Sequence, residues 1–179
     1  METYRLTHEL FRGGWTDPVY RECLERGHAV ALLPYDPVRD EVVLAEQFRV
    51  GALGAETGPW LLEIVAGIID KDETPEEVAR REAVEEAGCP VEEVEFISHY
   101  YVSPGGTSET VTLYCSRVSS QGVGGIHGLA DEHEDIRVQA VPRSEAWRMV
   151  GDGRINSAAP IIALQWLELN HGELQRRWR

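Results

Sequence analysis

Apolar residues recur along this chain at two spacings, and the change from one to the other maps its elements. Residues 4–26 alternate apolar and polar around Gly13-Gly14 and the turn signal Thr16-Asp17-Pro18, the pattern of a β-hairpin. His28–Leu33 is a continuous apolar run that predicts a buried strand, broken at Pro34-Tyr35-Asp36-Pro37, and Glu41–Phe48 predicts the next. Trp60 opens another strand that runs on through LLEIVAGII, and Val94–Ser103, Thr110–Val118 and Ile136–Val141 predict three more. Helical spacing appears from Pro75 to the residue before Gly88, over Ser144–Val150, and over Ala158–Asn170 behind a cap at Asn156 or Ser157. Ser119–Glu134 shows neither period and is expected to be a long loop.

Strands that bracket helices irregularly predict a mixed sheet between helical layers, an α/β/α sandwich formed as one domain by residues 28–179. The hairpin, residues 1–27, is a separate matter. A two-stranded ribbon is marginal alone, so it must lie on its own domain or on another subunit, and a dimerisation arm is the expectation.

Composition narrows the function classes. The formal charge of -14 over 179 residues argues against a nucleic-acid surface, which needs clustered Lys and Arg. An anionic small molecule would need bound cations and a few placed arginines to reverse that field locally. No run reaches the length of a membrane span, and METYRLTHEL is polar and unlike a secretory leader. Cys23, Cys89 and Cys115 form no CxxC and read as small core residues of a reducing, cytoplasmic compartment. His127 and His133 are the nearest histidine pair but lack zinc spacing.

Candidate chemistry concentrates in GIIDKDETPEEVARREAVEEAGC, Gly67–Cys89. Thr74 and Glu77 form a capping box, Pro75 suits the first helical position, and Gly88 suits the left-handed stop. At roughly 100° per residue, Glu82 and Glu86 fall about 40° apart, with Glu85 on the same side. Carboxylates so placed repel each other. Arg81 can pair with Glu77 and Glu85 at four-residue spacing, which leaves Glu82 and Glu86 for something else. A solvated acidic face is the bland reading; a hard divalent cation such as Mg²⁺ is the chemical one. The acidic run Ala130-Asp131-Glu132-His133-Glu134-Asp135 offers further oxygen ligands or a base if it lies nearby. Arg49, just past a strand end, can fork onto phosphate or form a surface ion pair.

The spacing G-x5-E-x7-R-E-U-x-E-E-x-G-U, with U apolar, is met in full by Gly67, Glu73, Arg81, Glu82, Ala83, Glu85, Glu86, Gly88 and Cys89. It resembles the defining pattern of the Nudix hydrolases. RECLERGHAVALLPYDPVRDEVVLAEQFR, PWLLEIVAGIID, the SPGGTSE loop and GIHGLADEHEDIRV are similar to the bacterial ADP-ribose pyrophosphatase branch, which also has a proline near the position of Pro104. The resemblance implies the α/β/α Nudix fold and Mg²⁺-dependent cleavage of ADP-ribose to AMP and ribose 5-phosphate, with Mn²⁺ as an alternative ion. It implies Glu82, Glu86, the Ala66 carbonyl and Glu134 as metal ligands, with Glu82 and Glu86 catalytic and Glu132 as general base. Glu85 would ligate or only support. Arg21, Arg49, Pro104, Gly105 and Glu109 would contact substrate. A small-molecule nucleotide sugar, a homodimer, and no nucleic-acid or membrane partner complete the picture.

Two alternatives stand beside it: a Nudix pyrophosphatase for another nucleoside diphosphate sugar or dinucleotide, and a non-catalytic ADP-ribose sensor. Related chains also carry a longer N-terminal arm with an aromatic that stacks on adenine. Here Trp15 or another residue substitutes, adenine is held more weakly, or the natural start lies elsewhere.

Overall fold

The computed structural model describes residues 1–70, 72–129 and 133–179. An eight-stranded sheet lies between two helical layers. Its strands are β3 (Ala29–Asp36), β4 (Glu41–Phe48), β5 (Trp60–Glu63), β6 (Val65–Ile68), β7 (Val94–Tyr101), β8 (Thr110–Arg117), β9 (Gly124–His127) and β10 (Ile136–Pro142). The order is β7-β8-β3-β4-β10-β9, with β5 on β4 and β6 on β3. Among the described residues only β3 and β8 run parallel in it, so the sheet is mixed as expected. Helix α1 (Pro75–Ala87) covers one face; α2 (Arg143–Gly151) and α3 (Ala158–Trp178) cover the other.

One departure from a simple sheet creates the room for a site. β3 pairs with β4 only at Tyr35–Asp36 and with β6 at Ala29–Leu32. The two strands diverge, and β5 and β6 fill the fork. The run LLEIVAGII, expected as one strand, is therefore two, separated at Ile64, which is buried at the bend. The fork also explains Pro34, which does not break β3. Its missing N–H falls between the two ladders, where β3 changes neighbours and needs no donor on that side.

Alternating side chains of β3 and β4 feed two cores. Ala31, Leu33, Tyr35, Val42 and Leu44 face α2 and α3, whereas Val30, Leu32, Val43 and Ala45 face α1. Two further expectations need correction. The Ser119–Glu134 stretch contains β9, whose Gly-Gly start carries no apolar pattern and which forms by pairing with β10. Helix α3 runs past Asn170 to Trp178, because Leu174 and Trp178 bury against the sheet, each 1% exposed. Gln175 and His171 add hydrogen bonds to Tyr35 and Asp40.

The N-terminal hairpin is a sheet of its own, β1 (Glu2–Leu6) with β2 (Val19–Cys23), in register Tyr4 to Arg21. Nearly all of it is exposed. It is tied to the body where Leu24 donates its N–H to the Gly106 carbonyl at 2.8 Å and accepts from Thr107 Oγ1 at 2.9 Å.

If the last two turns of α3 are part of the core, Trp178→Ala costs about 3–5 kcal/mol in urea unfolding. Leu169→Ala, on the same helix but 86% exposed, stays within about 0.5 kcal/mol. Equal losses would show that the C-terminal turns do not dock.

Candidate active site

The fork between β3 and β4 opens into a cleft of about 600 Å³. The geometry starts from one close contact. Helix α1 lies so near β6 that a Cβ on Gly67 would sit 2.3 Å from Glu82 Oε1. A side chain there would have to displace Glu82, whose carboxylate rests directly on the strand backbone.

Glu86, one turn further along α1, is 3% exposed and accepts the Ala66 N–H at 3.0 Å. Burial pushes its pKa up to about 8; the Ala66 N–H and Arg49 pull it down, while Glu82 and Glu134 push it up. Burial also raises Glu82, opposed by Arg81 and reinforced by Glu85 and Glu134. The two carboxylates expected from the helix wheel thus share a desolvated spot.

Arg81 meets Glu73 at 3.1 and 3.2 Å, and Glu82 and Glu85 at 2.9 Å each. The expected pairing with Glu77 is absent, because Glu77 completes the cap: its carboxylate takes the Thr74 N–H at 2.8 Å. One guanidinium therefore serves three carboxylates, and among the described residues Glu86 has no cation in contact. Within this set the Glu73–Arg81 pair clamps the loop before the helix to the helix itself.

Glu134 lines the same cleft. Its N–H bonds the Leu129 carbonyl at 3.2 Å, and its carboxylate accepts the Leu129 N–H at 3.3 Å. Gly128 makes this possible, with φ +102° and room for no Cβ, which would lie 2.7 Å from Glu134 Cβ. Glu132, the expected base, lies outside the described residues.

Arg49 and Glu109, expected to contact substrate, both line the cleft. Arg49 Nε donates to Glu63 at 2.7 Å. Glu109 lies 3.7 Å from Arg26, which also lines the cleft and was missed from the sequence. A signal existed. Arg26 precedes β3 and Arg49 follows β4, so an antiparallel pair puts both arginines at the same end. Arg21, Pro104 and Gly105 do not join this group. They share a separate hollow between β2 and the 103–108 loop, and Arg21 donates to the Tyr20 carbonyl at 2.8 Å.

The donors in the cleft are all oxygens, as a hard divalent cation requires. Among the described residues no three acidic, histidine or cysteine groups converge into a ready cage. A hard divalent ion such as Mg²⁺ commonly takes one or two carboxylates and completes its shell with water and substrate phosphates. Glu82 and Glu86, mutually repelling and short of countercharge, fit such an ion.

The NUDIX domain model matches residues 25–164. The chain is 51% identical to ADP-ribose pyrophosphatase of Escherichia coli (strain K12) over 178 residues, 99% of this chain and 85% of that protein. It is 42% identical to ADP-ribose pyrophosphatase of Haemophilus influenzae, covering 100% of this chain and 84% of the relative. GDP-mannose pyrophosphatase of Escherichia coli (strain UTI89 / UPEC) is 38% identical over 154 residues, 84% of this chain and 78% of that protein. Among solved structures, that of an ADP compounds hydrolase superposes with a TM-score of 0.72 at 22% identity, covering 97% of this chain and 88% of that one; it supports the fold.

Two predictions follow from the packing of α1. Gly67→Ala must displace Glu82, so it is expected to cost roughly 1–3 kcal/mol and to weaken Mn²⁺ binding in calorimetric titration. Unchanged binding would mean that Glu82 is not a ligand. For Glu86, a folded-state pKa raised from 4.5 to about 8 means that the native state holds the proton more tightly than the unfolded chain. Its contribution is present below pH ~4.5 and is lost as pH rises toward 8, so the metal-free protein loses stability across that window. Glu86→Gln removes that component, which thermal melts at several pH values will show; an unchanged profile overturns the burial argument.

Proposed function

The chain belongs to the NUDIX family, and on that premise we propose that it is an ADP-ribose diphosphatase that yields AMP and ribose 5-phosphate. The observation that carries the reading is the desolvated Glu82–Glu86 pair against Ala66 and Gly67, in a cleft that also presents Arg26 and Arg49. The ADP-ribose pyrophosphatases at 51% and 42% identity support the substrate. A second reading, a GDP-sugar such as GDP-mannose, draws on the 38% identical relative.

Glu82, Glu86, the Ala66 carbonyl and Glu134 would hold the metal, Mg²⁺ or Mn²⁺. When bound, it neutralises diphosphate charge, polarises the phosphoryl oxygens and acidifies water. Arg49 and Arg26 bind and orient the diphosphate, placing positive charge where the leaving phosphate gains negative charge. Glu132 takes the proton from the attacking water. A P–O bond forms to that oxygen as the bridging P–O bond breaks in line, so the two products each leave with a phosphate. Glu109, beside Arg26, fixes the ribose end, and Glu85 supports Arg81.

Residues 1–27 serve in this proposal as a dimerisation arm. Phe11, Trp15 and Tyr20 are exposed on it, and Arg21, Pro104 and Gly105 would join a substrate site only in a two-chain assembly. Cytoplasmic residence accords with three unpaired thiols. No helix among the described residues is long and apolar enough to cross a membrane.

Product analysis tests the substrate. ADP-ribose with Mg²⁺ should give AMP and ribose 5-phosphate far faster than GDP-mannose, NADH or a nucleoside triphosphate, and none without metal. GDP-mannose ahead would favour the second reading. Glu132→Gln should lower kcat by roughly 100-fold or more while ADP-ribose binding in calorimetry survives; normal turnover would move the base to Glu134 or Glu109.

A further inference from the structure

Arg49 is not free in the cleft. Its partner Glu63 is only 16% exposed and lies 2.7 Å away. The guanidinium assigned to the diphosphate is therefore held by an anion of the protein itself. Drawing it away would leave Glu63 half-buried with its charge unmatched, an unfavourable state unless another donor is at hand.

The ladder between β4 and β5 shows what lies beside this pair. Ala45 stands opposite Glu63, and Gln47 opposite Leu61. The Arg49 N–H bonds the Pro59 carbonyl at 2.8 Å and so extends the row. Residues two apart on a strand share a face, as do directly opposed residues. Ala45, Gln47, Arg49, Leu61 and Glu63 thus share one face, the side of α1, where Ala45 joins the core. Gln47 and Glu63 are diagonal neighbours, within reach of long side chains. Arg49 meets Glu63 on the face that also carries Gln47.

Gln47 is 7% exposed, and its side-chain Nε2 is buried with no hydrogen-bond partner among the described residues. A buried amide donor without an acceptor is costly and rare. We propose that Glu63 and Gln47 form a hand-over latch for Arg49. Glu63 holds the guanidinium until a diphosphate draws Arg49 away, and the Gln47 amide then donates to Glu63 instead. The surplus donor is the one that Glu63 needs once Arg49 has left. The latch also selects for charge, because a ligand must outcompete a carboxylate to recruit Arg49. Both are positioning residues, and neither reaches the reacting atoms. The latch rests on the reading of Arg49 as a diphosphate contact.

The test is a double-mutant cycle in the full chain, with ADP-ribose and saturating Mg²⁺. Gln47→Leu should raise KM roughly tenfold or more, the worth of one hydrogen bond to a charged group, with kcat within about twofold. Its melting temperature should hold or rise, since an unpartnered donor is removed. Glu63→Gln should lower KM several-fold, because Arg49 is no longer held. In the double variant KM should match that of Glu63→Gln, since no anion remains for Gln47 to receive. An unchanged KM in Gln47→Leu, with or without a lower melting temperature, overturns the latch, as does an effect of Gln47→Leu undiminished on the Glu63→Gln background. Arg49→Ala separates the two failures. If it leaves KM unchanged, the diphosphate reading of Arg49 falls and the latch with it; if it raises KM while the cycle is additive, only the latch falls.

Discussion

Helix α1 packs on β6 where Gly67 has no side chain, so that the Glu82 side chain alone fills the space between them, and the character of the cleft follows from that contact. It sets Glu82 on the strand backbone and Glu86 within reach of the Ala66 N–H. At that distance water is squeezed out, and each carboxylate loses solvation that nothing in the chain fully replaces. Glu86 answers by holding its proton far more tightly than an exposed glutamate does. The same desolvation makes the spot attractive to a small divalent ion, whose charge is screened least where water is absent.

A helix burdened with crowded carboxylates must be held in place by other means. At its start, Thr74 and Glu77 satisfy each other's donors, and Pro75 needs none. At its end Gly88 takes the left-handed turn and bonds back to Ala83 and Val84, with His127 packed closely over it. Beneath it Val78, Ala79, Ala83 and Ala87 are buried against Val30, Leu32 and Val43. Arg81 gathers Glu73, Glu82 and Glu85 on the flank. Caps, core and one arginine together offset the strain of the carboxylates, which leaves Glu86 uncompensated where chemistry can use it.

The cleft also resolves a contradiction between charge and substrate. A chain with formal charge -14 repels a diphosphate at long range. Arg26, Arg49 and Arg81 nevertheless line the cleft, each engaged by a glutamate. Guanidinium groups already paired are pre-positioned rather than loose, so a ligand meets an ordered cationic rim at the cost of displacing protein anions. On the proposed function, binding in such a site is an exchange of partners rather than simple capture.

Much of this was legible in the chain itself. The caps at Thr74 and Gly88, the shared face of Glu82 and Glu86, and most of the strands arise from residues within a turn or a pleat of each other. For those, spacing is geometry. What escaped the sequence depends on partners far away along it. β9 has no pattern because glycines have no side chains, and it exists only where β10 offers a ladder. Pro34 is harmless only because β3 changes neighbours there. Leu174 and Trp178 extend α3 because a sheet lies under them. The partner of Arg81 at Glu73, the place of Arg26 beside Glu109, and the buried amide of Gln47 were likewise decided by tertiary structure. Each turns on which distant group excludes water or supplies a charge, and local spacing carries no record of that.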